Sequence, residues 1–326
     1  MVGRIIGKLN RIANDAIFNT GLFASYSLRN TLNTIIMYHG VDLSGNTAYN
    51  SRHTSQDHFR RHVQFLKKYC HIISLEDFFK KEFRKGKPNI ALTFDDGYRN
   101  NFLYAKPILE QEKVLGTFYI TGLNTGKNNI LWADFLNIAC TLTQQDIKID
   151  GEDFQQKNGN YFSRETGKNL YSIIKDEKAD SEYKNLMQEA FINLYDFRKD
   201  EAYDDYWKLM TDSEILLCGD SKYIEIGSHG FLHNNLGTIS QDKTRKELID
   251  SKSYLENIIQ KKINSIGYPD GSYTRETLDS AENLGFLYQT AAEGLLFEAD
   301  KTDNRIRDRK GMYTWDSCAN QLFINL

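Results

Sequence analysis

Short apolar runs alternate with helix-period patterns from residue 31 onward, the arrangement written by a mostly parallel sheet with crossover helices. The runs predict strands at 34–38, 72–74, 90–94, 117–121, 223–226, 265–268 and 287–290. Between them, Phe59, Val63 and Leu66 mark one face of a helix, and Ser74 followed by Asp77 predicts a cap opening a helix through Phe83. Thr274 predicts another cap, for a helix ending near Gly285. The alternation breaks at about 127–222, where the chain turns tyrosine-rich, charged and helical with no clear strand. That stretch reads as a mainly helical insertion into one domain spanning 31–326. Loops at the carboxyl ends of α/β strands build active sites, so the insertion is placed to wall a cleft. Trp132 and Trp207 then face either substrate or the insertion's own core.

Residues 4–18 carry Ile5, Leu9, Ile12 and Ala16 at helical spacing beside Arg4, Lys8 and Arg11. Residues 1–30 are therefore read as an amphipathic segment suited to packing on the domain, to a partner, or to peripheral contact with an anionic membrane. No apolar run reaches the roughly 18 residues of a membrane span, and no signal-peptide core is seen, so cytoplasmic residence is expected.

Composition adds limits. A net charge of −3 and a pI near 6.2 give no electrostatic reason to expect a nucleic-acid partner. The cysteines Cys70, Cys140, Cys218 and Cys318 form no C-x-x-C pair and are expected as buried thiols. The aromatic share of 13% suits sugar faces and cores alike.

Two segments carry candidate chemistry. In the first, the apolar run Ala91-Leu92-Thr93-Phe94 leads directly into Asp95-Asp96-Gly97. Adjacent carboxylates divide labour well, one binding a cation while the other, kept ionised beside it, acts as a base. Asp-Asp-Gly is also a common turn, and taken alone it reads that way. In the second, Tyr223–Ile226 leads to Gly227-Ser228-His229-Gly230-Phe231-Leu232-His233. Histidines at this spacing share one side of a helical turn and reach one ion; with one carboxylate they make a three-ligand site with an open position, the pattern of a catalytic metal. His58 and His62 repeat the spacing, but Arg60 and Arg61 between them oppose a cation, so they read as structural or solvated. His53 and His71 read as surface or packing residues.

Thr-Phe-Asp-Asp-Gly followed by Ser-His-x-x-x-His resembles the polysaccharide deacetylases, the NodB-like fold of carbohydrate esterase family four, over most of 34–310 outside the insertion. The resemblance implies a distorted (β/α)7 barrel. It also implies Asp95 as general base, and Asp96, His229 and His233 as ligands of a divalent metal, Zn²⁺ foremost, with Co²⁺, Ni²⁺ or Mn²⁺ as alternatives. Tyr268-Pro269-Asp270-Gly271 resembles the family's oxyanion and substrate loop, with the Asp270 N–H in the stabilising position. Gly267 stands where that motif has its base-orienting arginine. Arg305, Arg307 and Arg309 are candidate substitutes, although such a run reads by default as solvated. The family's C-terminal Leu-x-His is also missing. His39, at the end of the first strand in Tyr38-His39-Gly40, resembles the general acid of the circularly permuted poly-N-acetylglucosamine deacetylase branch. The implied activity is N-deacetylation of an amino sugar in a polysaccharide or lipid-linked precursor. The alternatives are a deformylase of a lipid-linked sugar and an impaired, glycan-binding relative.

Overall fold

The computed structural model describes residues 33–125, 129–176, 181–313, 317–319 and 321–322; the amphipathic segment 1–30 lies outside them. The described residues divide into two compact units, one within 33–45, 52–122 and 210–322, the other within 46–51 and 123–209.

The larger unit is built on parallel strands β1 (Thr34–Tyr38), β2 (Asn89–Phe94), β3 (Gly116–Ile120), β4 (Ile224–Ser228), β5 (Ser265–Gly267), β6 (Tyr288–Thr290), β7 (Ile306–Arg307) and β8 (Arg309–Gly311). They pair in the order β7-β6-β5-β4-β3-β2-β1-β8, and His71–Ile72 adds to β2. Asp308 alone separates β7 from β8, so one stretch of chain pairs with β6 by its first half and with β1 by its second. This is the strand pattern of the distorted (β/α)7 architecture expected from the sequence. The strands before β7 fall within two residues of their predicted positions. The stretch forming β7 and β8 was not anticipated, because its alternation is of arginines rather than apolar residues.

Every residue of β1 after Thr34 and every residue of β2 and β3 is buried, which explains their unbroken apolar runs. Ile36, Tyr38, Leu92, Phe94 and Phe118 join Phe59, Val63 and Leu66 of the helix Gln56–Tyr69 in the main core. Ile35, Ala91 and Tyr119 point to the other face. Ser74 caps Leu75–Phe79 by accepting from the Asp77 amide, and that helix stops short of the predicted Phe83. Thr274 likewise caps Arg275–Asn283. Among the described residues no helix is long and apolar enough to cross a membrane. All four cysteines are free and buried.

The smaller unit is mainly helical, as expected for the insertion at 127–222, but it is not free of strands. Beside the helices Trp132–Leu142, Leu170–Asp176 and Ser181–Ile192 it holds an antiparallel sheet of Ile147–Ile149, Glu152–Lys157 and Asn160–Ser163. These strands are short, and Glu152–Lys157 buries only Phe154, so their period-2 signal is faint. The legible signal lay in the turns. Asp150-Gly151 and Asn158-Gly159 carry positive φ at both positions, as tight primed hairpin turns require. The insertion also ends earlier than expected, because Asp212–Gly219, opened by a Thr211/Glu214 capping box, belongs to the larger unit. Trp207 is buried with Phe135 and Phe197 in the smaller unit's own core, and Trp132 packs at its margin beside Tyr171.

Candidate active site

Strand register brings the candidate residues together at the carboxyl ends of the strands. Tyr38 is level with Phe94, and the Asp95 amide donates to the Tyr38 carbonyl at 2.9 Å, so His39 and Asp95 leave adjacent strands side by side. Ser228 is level with both Ile120 and Ile266, and the His229 amide donates to the Ile120 carbonyl at 2.9 Å.

One ligand atom from each of Asp96, His229 and His233 lies within 4.8 Å of the others. The Nε2 atoms of His229 and His233 stand 3.3 and 3.2 Å from the same Asp96 oxygen. The two histidines do not sit on a helical turn, as their spacing suggested. They flank a loop after β4 in which Gly230 and His233 have φ of 71° and 53°. The Glu247 carboxylate shapes it, accepting from the Phe231 and Leu232 amides at 2.7 and 2.9 Å and from Asn234 Nδ2 at 2.7 Å. Asp96 is also left-handed, with φ 76°. Two of the three candidate ligands therefore hold a backbone conformation that costs non-glycine residues on the order of 1–3 kcal/mol.

The donor set fits a divalent cation. Both Asp96 carboxylate oxygens are buried and accept no hydrogen bond from the described residues. Gly267 O can only accept, so the 2.7 Å contact to His229 Nδ1 puts the ring proton there and frees Nε2 for an ion. Burial alone would raise the Asp96 pKa, but Arg52, 3.3 Å away, and both imidazoles hold it well below the carboxylate range. Burial would lower the His233 pKa, yet the Asp96 carboxylate raises it above the ordinary imidazole value. A proton on His233 thus competes with a metal for one nitrogen. Zn²⁺ affinity should fall as pH drops below neutrality, with proton release on binding; calorimetry in buffers of different ionisation enthalpy measures both.

Asp95, 3% exposed, is clamped by Arg309. The guanidinium meets it end-on, Nη1 at 2.6 Å from Oδ1 and Nη2 at 2.9 Å from Oδ2. Nε of the same arginine donates to the Ala291 carbonyl at 2.8 Å, and Nη1 to Thr93 Oγ1 at 3.2 Å. Burial pushes the Asp95 carboxyl upward, but Arg309 and then His229 outweigh it, and the group is held below its usual range. Of the three candidate arginines, Arg309 is thus the one that meets Asp95, and for this residue the solvated reading is wrong: its side chain is fully buried. Arg305 does fit that reading, paired with Asp303, Asp279 and Glu282. Arg307 lies over the Phe79 ring.

His39 follows β1, its carbonyl accepting from Asn101 Nδ2 at 2.8 Å, and its ring feels the charges of Arg52, Asp96 and Asp95. Burial first and Arg52 second lower its pKa to about 4 against the pull of the two aspartates. The imidazole is thus neutral near pH 7 rather than protonated. His53 is buried against Gly40, where a Cβ would come within 2.3 Å of its ring. His62 is buried too, sharing a hydrogen bond with the Tyr38 hydroxyl at 3.1 Å, and burial lowers its pKa to about 3; it is structural.

In the loop after β5, Tyr268 is turned inward, its hydroxyl donating to Gln289 at 2.6 Å and its ring stacked on Tyr273. Tyr268 and Pro269 are buried, and Gly271 packs closely on Ala292. Asp270 alone of the four is exposed, at φ 54°, and its charge reaches His233. What this loop offers a substrate is Asp270 and its backbone. Arg52, which also donates to the Tyr98 hydroxyl at 2.9 Å, was missed; no local pattern marks it.

Fold and site define an α/β protein with a buried carboxylate and two imidazoles arranged for one cation, next to a second carboxylate held by an arginine. The chain belongs to the polysaccharide deacetylase family, whose model matches residues 83–151 and 187–289. It is similar, at 35% identity over 70 residues, to YxkH of Bacillus subtilis, whose name assigns it to the polysaccharide deacetylases; the match covers 22% of this chain and spans 25% of that protein's length. Its fold is similar to that of the Streptococcus pyogenes deacetylase PplD solved with acetate (TM-score 0.53, 18% identity, 89% of this chain and 97% of that one). It is similar also to the folds of a Bacillus cereus polysaccharide deacetylase (TM-score 0.54, 16%, 88% and 66%) and a de-N-acetylase from Aggregatibacter actinomycetemcomitans (TM-score 0.52, 15%, 86% and 95%).

Proposed function

We propose that this chain is a metal-dependent N-deacetylase that hydrolyses the acetamide of an N-acetylated amino sugar in a polysaccharide or a lipid-linked precursor. The observation that carries the reading is the Asp96–His229–His233 cluster with the Arg309-clamped Asp95 beside it. Those three side chains would hold a divalent ion, Zn²⁺ by the donor set, which would supply Lewis acidity for the amide carbonyl and for water.

The chain's own residues do the rest. Asp95, ionised at neutral pH and fixed by Arg309, takes the proton of the attacking water. The Asp270 N–H is offered to the developing oxyanion. His39, neutral at rest, takes on the proton that Asp95 removed from water and gives it to the departing amine as the carbon–nitrogen bond breaks, leaving Asp95 ionised again. Water supplies both the hydroxyl of the acetate and the proton on the amine. The clamp on Asp95 also weighs against an impaired, glycan-binding protein, because that alternative rested on the missing arginine.

Release of acetate from N-acetylglucosamine oligomers tests the reading, with loss on chelation and recovery on adding Zn²⁺ as the expected result. His39→Ala should lower kcat by about 10²-fold or more with metal content unchanged. Near-normal turnover by that variant would remove His39 from the reaction. A deformylase would release formate from an N-formyl sugar in the same assay.

A further inference from the structure

One fully buried side chain touches both halves of this site and belongs to neither. The Tyr119 ring, on β3, lies 5.2 Å from the Arg309 guanidinium and is stacked at 22° to the His229 imidazole, centroids 6.4 Å apart. Thr290 Oγ1 on β6 donates to its hydroxyl at 3.2 Å. The neighbouring strands are cut back to admit it. A Cβ on Gly227 of β4 would come within 2.6 Å of the ring, and one on Gly267 of β5 within 2.8 Å. Neither glycine has a positive φ, so each is there for room rather than for backbone freedom. Gly267 is also the residue whose carbonyl accepts from His229 Nδ1.

We propose that Tyr119 is a positioning residue that sets, through the face of its ring, both the imidazole of His229 and the arginine that orients Asp95. The inference rests on the deacetylase reading for what those two groups do. The room an arginine at position 267 would need is filled by the ring, and the arginine enters from β8 instead. A planar cation over an aromatic face and an imidazole stacked on it are both attracted by that face, so the ring holds two planar groups that have few rotamers left. Removing the face frees both; removing the hydroxyl frees neither.

The test compares wild type, Tyr119→Leu, Tyr119→Phe and Gly267→Ala for Zn²⁺ affinity, by competition with a chromogenic chelator, and for kcat and KM in acetate release. Tyr119→Leu should bind Zn²⁺ about 10-fold more weakly and lower kcat by at least as much at unchanged KM, the scale set by groups that orient metal ligands. Gly267→Ala, which displaces the ring without deleting it, should move affinity the same way. Tyr119→Phe should stay within about twofold of wild type. Unaltered Zn²⁺ affinity and kcat in folded Tyr119→Leu, with only the melting temperature lowered, would overturn the proposal and leave the deacetylase reading standing. A wild-type chain that binds no divalent ion would overturn both.

Discussion

Asp95→Asn should lower kcat for acetate release by about 10³-fold, in the range a positioned general base contributes, while Zn²⁺ content stays at the wild-type level. The substitution keeps the side chain's shape and leaves Asp96, His229 and His233 untouched, so ion binding and base catalysis separate cleanly. It also leaves the Arg309 guanidinium, fully buried, without its counter-charge. Melting temperature should therefore fall together with kcat, and rates should be compared well below the variant's transition. Loss of Zn²⁺ alongside activity would mean that Asp95 is a ligand, and the division of labour between the two acids would be wrong.

Arg309→Met should destabilise the fold by about 3–5 kcal/mol, the cost of removing one partner from a buried ion pair, as measured by urea unfolding at pH 7. It also removes the chief influence holding the Asp95 pKa down. The native carboxyl titrates below its unfolded value, so the pair's contribution is complete above the unfolded pKa and fades as pH falls through the native one. In wild type that fading lies at acid pH. In Arg309→Met, burial acts unopposed by the arginine, the Asp95 pKa rises, and the acid limb of kcat/KM moves to higher pH. An unmoved limb would show that the guanidinium does not govern the base.

The metal half of the site was legible in the sequence, because Asp95-Asp96 and His229/His233 each follow a buried strand whose apolar run is unmistakable. Proximity of far-apart strand ends follows from parallel pairing, so two local motifs sufficed to place the cluster. The loop geometry between the histidines was not legible: its shape depends on Glu247, whose carboxylate reaches back from a helix that gives no sign of the task. Arg309 was legible only as one of three candidates. A strand reading Arg-Ile-Arg-Asp-Arg looks solvated, and only the burial of Asp95 214 residues away makes one of those arginines an interior residue. Arg52 illustrates the same limit. The smaller unit's hairpins lay hidden for a different reason, since their strands carry little apolar alternation and only two Asx-Gly turns announce them.

The split stave at Asp308 has a consequence for biogenesis. Asp95 leaves β2, but Arg309 arrives on β8, in the stretch that supplies the pairing partners of both β6 and β1. During synthesis Asp96, His229 and His233 are all in the chain by residue 233, before the Arg309 guanidinium is added. A nascent polypeptide can thus bring Asp96, His229 and His233 together while the Asp95 carboxylate still lacks its guanidinium partner, and that ion pair waits for the stretch 306–311 to dock.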